Sequence, residues 1–226
     1  MEVTPEQMLE PAYLASRAKL IDMKQAQNFQ AGNPVKGGTI YLTAADENGM
    51  MVSFIQSNYM GFGSGCVEPT FGISLQNRGH GFSTDPCGAN QANLVAPGKR
   101  PFHTIIPGFL TKDGQPVMSF GVMGANVQPQ GHVQTLVRML DHGQNPQAAC
   151  DAPRWRFNKG CNINVEPGMN ADLVQGLQDL GHEMELLADS YQDFGAGQFI
   201  WRLGNPAVEG YVAASDPRRD GLVAAW

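Results

Sequence analysis

The 226-residue sequence has few charges, few cysteines and no long apolar run. Charged residues make up 16% of the chain, whereas about 25% is usual in a globular domain. No run of lysine and arginine exceeds two residues, and the formal net charge is −6. Because phosphate binding needs concentrated positive charge, we expect no nucleic-acid partner. No apolar run approaches the roughly 18 residues of a membrane helix, so we expect no membrane partner either.

Four cysteines are present, at positions 66, 87, 150 and 161. None forms a C-x-x-C pair or lies near a histidine at zinc spacing, so we expect neither a metal site nor a disulfide scaffold. No motif indicates a cofactor. The first six residues are polar and acidic, unlike the basic start and apolar run of a secretory signal, and this favours a cytoplasmic location.

Glycine and proline are abundant instead, with 27 and 15 residues, which predicts many tight turns. Residues 39–45 and 50–57 are rich in strand formers and flank Asn48-Gly49, a strong hairpin signal. A second hairpin is predicted for 104–111 and 115–121. One further short strand is predicted near 72–75.

Helical patterns lie at the start of the chain and in its last hundred residues. Helices are predicted over 4–10, from Pro11 to about Ile21, and over 131–142, 146–151 and 169–180, with a loop at 22–38 and strands near 183–187, 197–203 and 209–214. Strands, then helices, then strands indicate α+β layers rather than a βαβ fold.

Several common catalytic motifs are absent or incomplete. The glycine-rich stretch 61–65 resembles a phosphate-binding loop, but no Gly-Lys-Ser/Thr follows it. No G-x-S-x-G nucleophile elbow is present. The five histidines form no H-E-x-x-H pattern, so each is interpreted as structural or solvated.

The junction Gly37-Gly38-Thr39 combines an unshielded carbonyl with a hydroxyl at the start of a strand. Chain scission before Thr39 would give that residue a free α-amine. An α-amine titrates near 7.7–8.0 and can serve as the base for its own hydroxyl. From residue chemistry alone the signal is weak, because most threonines at strand starts are only strand residues.

Eight separated blocks, in order, make the sequence from Gly37 to Trp226 resemble the small-subunit region of the gamma-glutamyltranspeptidase family. The blocks are residues 39–42, 56–65, 75–79, 97–101, 121–124, 128–132, 151–154 and 215–218. The resemblance is strongest to the cephalosporin-acylase-like branch of that family.

The resemblance implies an N-terminal-nucleophile hydrolase with an αββα sandwich, here incomplete because most of the large subunit is missing. Residues 1–38 would be a remnant of the large subunit's tail, and residues 39–226 the small-subunit catalytic domain. The precursor would cut itself between Gly38 and Thr39. Thr39 would then attack an amide carbonyl, often a gamma-glutamyl one, and form an acyl-enzyme that water or an amine releases.

The resemblance also implies the neighbours of Thr39. Ser57 matches the family's second hydroxyl, which orients the nucleophile. Gly124 and Ala125 match the paired glycine amides that hold the oxyanion. Ala125 keeps its N–H, so this departure costs little unless φ must be positive there.

Other departures fall on the substrate-binding positions. The family's Asn falls on Tyr59, its Asp falls on Gly81, and its Ser-Ser pair falls on His103 and Thr104. Losing the Asp carboxylate removes the partner for a substrate ammonium, which makes glutathione a doubtful substrate.

Two alternatives stay open. The chain is either an enzyme region or a truncated, non-catalytic fragment or interaction module of the same fold. Within the enzyme class, a cephalosporin or glutaryl acylase competes with a transferase acting on gamma-glutamyl amides. The expected partners are a small-molecule amide or gamma-glutamyl substrate, and the missing large-subunit portion or a second copy of the chain.

Overall fold

The computed structural model describes residues 9–19, 21–27, 39–88, 91–188 and 193–226. Its strands are β1 (Thr39–Ala45), β2 (Met51–Ser57), β3 (Val67–Glu68), β4 (Ile73–Ser74), β5 (Gly108–Lys112), β6 (Gln115–Met123), β7 (Trp155–Lys159), β8 (Asn162–Val165), β9 (Glu183–Leu186), β10 (Ala196–Arg202) and β11 (Tyr211–Ser215). Its α-helices are α1 (Pro11–Ala18), α2 (Gln128–Leu140), α3 (Pro146–Asp151), α4 (Ala171–Asp179) and α5 (Pro206–Glu209). The predicted helix over 4–10 lies almost wholly outside the described residues, as does most of the predicted loop over 22–38.

Strands β1 and β2 form the first predicted antiparallel hairpin, in which Thr39 pairs with Ser57. Asp46 stabilises its turn because the carboxylate accepts hydrogen bonds from the amides of Asn48 and Met50, both at 2.9 Å. Gly49 has a φ of 90°, which glycine adopts without steric cost. The asparagine-glycine signal therefore identified this hairpin correctly.

The main sheet has four antiparallel strands in the order β11-β10-β6-β5. Strands β5 and β6 form the second predicted hairpin, and Asp113 and Gly114 in its turn both have positive φ, as type I′ turns require. The core lies on this sheet and includes the fully buried Met118, Val122 and Phe199.

The first hairpin packs face to face on the main sheet. The Thr43 and Ser119 hydroxyls are hydrogen-bonded across the interface. A Cβ on Gly121 would lie 2.4 Å from the Tyr41 ring, so glycine is needed for the two sheets to approach here. Helices α2 and α3 cover the opposite face of the main sheet. Two sheets and a helical layer confirm the α+β class, as part of an αββα sandwich.

The outer face of the first hairpin is apolar and exposed. Alternation along the strands turns Ile40, Leu42, Val52 and Phe54 away from the main sheet, and each is between 44% and 67% exposed. Since apolar side chains normally cover one another, this face lacks a layer within the described residues.

A smaller sheet, in the order β7-β8-β9, was only partly predicted. β9 was expected, but β7 and β8 were missed because asparagine is depleted in strands. Here Asn158 donates to Asn162 at 2.6 Å, so these side chains bond to one another across the pair. Strands β8 and β9 are parallel and joined by α4, which makes one local βαβ unit inside the α+β fold.

Two predicted boundaries were wrong, and they lie in segments that contact each other through Gln128. Strand β5 begins at Gly108 rather than Thr104, and helix α2 begins at Gln128 rather than 131. The buried Gln128 side chain explains the late start of β5, because it donates to the Thr104 carbonyl at 3.0 Å and accepts from the Ile106 amide at 3.1 Å. Proline in the first turn of α2 suits the early helix start.

Four buried charged side chains join the segment that follows the last strand to the rest of the domain. Arg154 pairs with Asp216 at 2.6 Å, and Arg218 pairs with both Asp216 and Glu166. Arg154 also donates to the Gly195 carbonyl at 3.2 Å, which fixes the backbone just before β10. Removing one partner would leave a buried charge unpaired, a change that costs about 3–5 kcal/mol in other proteins.

Candidate active site

Thr39 and Ser57 lie side by side where the first hairpin is open. Thr39 begins β1, Ser57 ends β2, and the Thr39 Oγ1 hydroxyl donates to Ser57 Oγ at 3.0 Å. Thr39 is only 5% exposed. Gly37 and Gly38 lie outside the described residues.

Ser57 Oγ accepts a second hydrogen bond, from the Tyr59 amide at 2.8 Å. Tyr59 has a φ of 79°, a left-handed conformation that non-glycine residues seldom adopt. Strained backbone of this kind persists only where surrounding contacts hold it, and it is concentrated at functional sites. The amide of Tyr59, rather than its ring, is therefore what reaches Ser57.

Arg78 connects this hydroxyl pair with the segment that precedes β5. Its Nη2 donates to the Ser57 carbonyl at 3.0 Å, and its Nε donates to Thr104 Oγ1 at 2.8 Å. The side chain is buried, and this burial lowers the pKa of the guanidinium from its ordinary value. Because arginine remains protonated even so, a positive charge lies beside Ser57.

Gly124 and Ala125 follow the end of β6. The contacts of Thr43 with Ser119 and of Tyr41 with Gly121 advance by two residues along each strand. One further step of two residues along each strand sets Thr39 level with Met123, the residue before Gly124. By this register, the end of β6 and the hydroxyl pair belong to the same end of the two packed sheets.

Gly124 and Ala125 both have positive φ angles, the case in which the sequence predicts an alanine to be costly. Gly124 has a φ of 141°, and a Cβ there would lie 2.7 Å from the Gly195 Cα, so glycine is required. Ala125 has a φ of 54°. The condition under which alanine costs little is thus not met, because a left-handed alanine carries about 1–2 kcal/mol of strain.

His132 supports the strand that leads to these two residues. Its Nε2 accepts from the Val122 amide at 2.9 Å, and its ring meets the edge of Phe120. Burial lowers the pKa of His132 to about 4, so the imidazole is neutral at physiological pH. The structure agrees with the interpretation of this histidine as structural.

The four predicted substrate-binding residues are not gathered in one place by direct contacts. Thr104 is joined to Ser57 through Arg78, and Tyr59 contacts Ser57 through its amide. Gly81 and His103 are exposed, and their described hydrogen bonds go to Asn93 and Ile105.

Sequence reasoning gave no role to Arg78 or Gln128. Both lie in blocks that carry the family resemblance, 75–79 and 128–132, and that position was the available signal. Their partners are backbone carbonyls, a backbone amide and a hydroxyl, which no residue pattern identifies in advance.

Within the described ranges, no group of three or more histidine, cysteine and acidic side chains converges on a point where a metal ion could bind. The four cysteines are free thiols, with Cys150 buried and Cys66 and Cys87 exposed. No described helix has the length and apolar character needed to cross a membrane.

The layered α+β fold is that of the N-terminal-nucleophile hydrolases, of which this chain contains a part. The profile of the gamma-glutamyltranspeptidase family matches residues 1–226, and the chain belongs to that family.

Individual relatives carry several activities in their names. An oxamate amidohydrolase proenzyme of Klebsiella pneumoniae subsp. pneumoniae is 35% identical over 231 residues, covering all of this chain and 42% of the relative. A glutathione hydrolase-like proenzyme of Bacillus subtilis, YwrD, is 37% identical over 194 residues, covering 83% of this chain and 36% of the relative. The crystal structure of a cephalosporin acylase from Bacillus halodurans is 50% identical, with a TM-score of 0.89, covering 100% of this chain and 40% of that one.

The chain therefore spans about two fifths of the length of the relatives it matches. The fold is shared across the whole chain.

Proposed function

We propose that this chain is the small-subunit region of an amide hydrolase or acyl transferase whose nucleophile is the Thr39 hydroxyl. The observation that carries the proposal is the hydrogen-bonded pair of Thr39 and Ser57 at the open end of the hairpin. The register of the hairpin on β6 supports a place for Gly124 and Ala125 at the same end. Residues 1–38 then belong to the tail of the large subunit, and residues 39–226 form the small-subunit catalytic domain.

Self-cleavage comes first. The Thr39 hydroxyl attacks the Gly38 carbonyl carbon, the peptide C–N bond breaks, and the Gly38 acyl group passes to the Thr39 oxygen as an ester. Water hydrolyses the ester, which leaves a carboxylate on Gly38 and a free α-amine on Thr39. Ser57 accepts a hydrogen bond from the Thr39 hydroxyl and so fixes its position.

Substrate cleavage uses the new amine. With a pKa near 7.7–8.0, an α-amine can take the hydroxyl proton as the oxygen attacks a substrate amide carbon. The amides of Gly124 and Ala125 donate to the oxyanion of the tetrahedral intermediate. The leaving amine departs with the proton, and water or another amine then releases the acyl group from Thr39.

A γ-glutamyl amide is the first candidate substrate, but glutathione itself fits the site poorly. Gly81 supplies no carboxylate for a substrate ammonium, whereas Arg78 places a positive charge beside Ser57. A glutaryl or cephalosporin acylase is the second candidate, and the 50% identity to a cephalosporin acylase favours it. The oxamate amidohydrolase relative adds small amides to the candidate substrates.

The competing hypothesis is that the chain is not an enzyme region but a non-catalytic fragment or interaction module. The exposed apolar face of the first hairpin supports it, because an isolated chain would lack the layer that covers this face. The same face supports a partner, which is either the missing large-subunit portion or a second copy of the chain.

Mass spectrometry of the protein expressed from its complete reading frame tests the proposed function. We expect cleavage before Thr39, none in Thr39→Ala, and slower cleavage in Thr39→Ser, which keeps a hydroxyl. After acid quenching with an amide substrate, the fragment that begins at Thr39 should carry an acyl adduct. Absence of both cleavage and adduct in the unaltered protein would show that the catalytic proposal is wrong.

A further inference from the structure

We propose that Gln128 is a positioning residue, which fixes the turn containing Gly124 and Ala125 relative to the proposed nucleophile, Thr39. This inference rests on the proposed function and adds a residue to its machinery. It is carried by a continuous series of hydrogen bonds that begins at Gln128 and ends at the Thr39 hydroxyl. Every link in the series joins groups of described residues.

The Gln128 side chain is buried and uses both ends of its amide. It is 1% exposed. Its Nε2 donates to the Thr104 carbonyl at 3.0 Å, and its Oε1 accepts from the Ile106 amide at 3.1 Å. Residues 101–107 belong to no strand or helix, so these two bonds hold the segment as a neighbouring strand would. Because buried polar groups need partners, removal of the Gln128 amide would release this segment.

The backbone of Gln128 is joined to the turn that supplies the two proposed oxyanion donors. The Gln128 amide donates to the Ala125 carbonyl, and the Val127 amide donates to the Gly124 carbonyl at 3.2 Å. These bonds form a 3₁₀ turn that leads directly into α2, which begins at Gln128. A displacement of Gln128 would therefore displace the turn as well.

Arg78 continues the series from Thr104 to the hydroxyl pair. Its Nε donates to Thr104 Oγ1 at 2.8 Å, and its Nη2 donates to the Ser57 carbonyl at 3.0 Å. Ser57 Oγ in turn accepts from Thr39 Oγ1 at 3.0 Å. Thr104 is thus held from two sides, by Gln128 at its carbonyl and by Arg78 at its hydroxyl. The turn and the hydroxyl pair are connected to one another through Thr104.

Two other glutamines of α2 make the same two-way contact with a different segment. Gln134 donates to the Trp155 carbonyl at 2.9 Å and accepts from the Trp155 amide at 3.0 Å. Gln130 bonds Phe157 in the same manner, at 3.3 and 2.7 Å. Their partners belong to β7, the edge strand of the smaller sheet. Only the Gln128 contact leads to the hydroxyl pair, so Gln134 is the matched control.

The first test measures turnover per active site in the protein expressed from its complete reading frame. The probes are γ-glutamyl- and glutaryl-4-nitroanilide, and mass spectrometry after acid quenching counts the Thr39 sites that can be acylated. Gln128→Met keeps a similar side-chain volume but removes both hydrogen bonds. It should lower kcat per site by about 10- to 100-fold, because small misplacements at a reacting centre cost this much. KM should change about threefold or less, since oxyanion donors act in the transition state.

The control variant separates positioning from support of the fold. Gln134→Met removes the same kind of contact and should leave kcat per site unchanged. If Gln128→Met only reduces the number of sites that can be acylated and keeps kcat per site, Gln128 supports the fold alone and the inference is overturned.

A double-mutant cycle tests the connection through Thr104. Arg78→Met removes the second contact of that residue. If Gln128 and Arg78 act through one residue, the combined variant should have a kcat per site close to that of the slower single variant, because effects within one network are not additive. Single effects that multiply in the combined variant would overturn the inference.

Hydrogen exchange in the Thr39→Ala protein tests the same connection without turnover. The Tyr59 amide donates to Ser57 Oγ and therefore reports on the far end of the series. Gln128→Met should reduce protection at the Ile106 amide and at the Tyr59 amide, whereas Gln134→Met should reduce it at Trp155 and not at Tyr59. This pattern in a protein without turnover would remove the proposed catalysis but keep the connection. Unchanged protection at Tyr59 would overturn the inference, and turnover in the unaltered protein would then still support the proposed function.

Discussion

Two adjacent residues at the end of β6, Gly124 and Ala125, adopt backbone angles that only the glycine tolerates without strain. Left-handed backbone in a non-glycine residue must be held by its surroundings, and Tyr59 is a second case within the same site. The Tyr59 amide donates to Ser57 Oγ at 2.8 Å, so a residue with strained backbone supplies a backbone donor to the hydroxyl pair.

Ala125→Gly tests whether this strain is real. The substitution should raise the free energy of unfolding by about 0.5–1 kcal/mol, because relief of about 1–2 kcal/mol of left-handed strain exceeds the added entropy of the unfolded chain. Chemical denaturation measures the change when both proteins are fitted with the same dependence of unfolding free energy on denaturant concentration.

Ala44→Gly in β1 is the matched control. Ala44 is exposed and has no positive φ, so glycine there should destabilise by about 0.5–1 kcal/mol. Equal destabilisation at both positions would mean that Ala125 is not strained.

Among the elements, β6 and α2 meet through His132. The imidazole Nε2 accepts a hydrogen bond from the Val122 amide. Val122 lies two residues beyond Phe120, the last β6 residue that pairs with β5. Gly131 packs so closely on Val122 that a Cβ would lie 2.7 Å from it. The end of β6, and with it the position of Gly124, is thus fixed from the helical layer.

The His132 contact predicts a pH dependence of stability. The folded-state pKa of about 4 lies below the ordinary 6.5, so the unfolded chain takes up the proton first as the pH falls. The contribution is complete above pH 6.5 and is lost between pH 6.5 and 4, by roughly 3 kcal/mol. Denaturation at several pH values across this window measures the loss.

His132→Gln isolates this effect from that of the carboxylates. Glutamine can still accept a hydrogen bond but does not titrate. Between pH 6.5 and 4, the free energy of unfolding of the variant should therefore fall by roughly 3 kcal/mol less than that of the unaltered protein. His142→Gln changes an exposed histidine and should leave the profile unaltered. Parallel profiles for His132→Gln and the unaltered protein would contradict a buried neutral imidazole.

Elements with local signals were predictable, and contacts between distant residues were not. Asn48-Gly49 identified the first hairpin. Asn145 caps α3 at its predicted start, and Asn170 caps α4, which begins two residues after the predicted start. Strands β7 and β8 were missed because they contain asparagine, which is depleted in strands. The start of β5 was wrong because the Gln128 side chain binds Thr104 and Ile106, a contact between residues more than 20 positions apart.

In the candidate site, too, some residues could be identified from the sequence and others only from the structure. The Thr39 and Ser57 positions came from the resemblance, and the structure adds their hydrogen bond. The role of Arg78 could not be inferred, because its burial and its lack of an acidic partner among the described residues are properties of the packed molecule. For the same reason the strain at Ala125 became visible only with its φ.

At the scale of the whole molecule, the main feature is the outer face of the first hairpin, which the described residues leave uncovered. Leu42 and Phe54 pair across the outer face of the first hairpin, where both are 46% exposed. The chain spans about two fifths of its relatives, so the cover for this face is proposed to come from the remaining portion of the protein or from a second copy. Apolar faces of this kind drive association in water.

Sedimentation velocity of the 226-residue chain tests this proposal. Expressed alone, the chain should self-associate, and Leu42→Lys combined with Phe54→Glu should make it monomeric, because charges on that face oppose burial. Phe71 is an apolar residue outside the first hairpin and is 80% exposed, so Phe71→Glu should not change the association. Addition of the upstream portion should compete with self-association and form a one-to-one complex. A chain that is monomeric alone and binds no upstream portion would contradict the role given to this face, because the apolar pairs would then be stable in water.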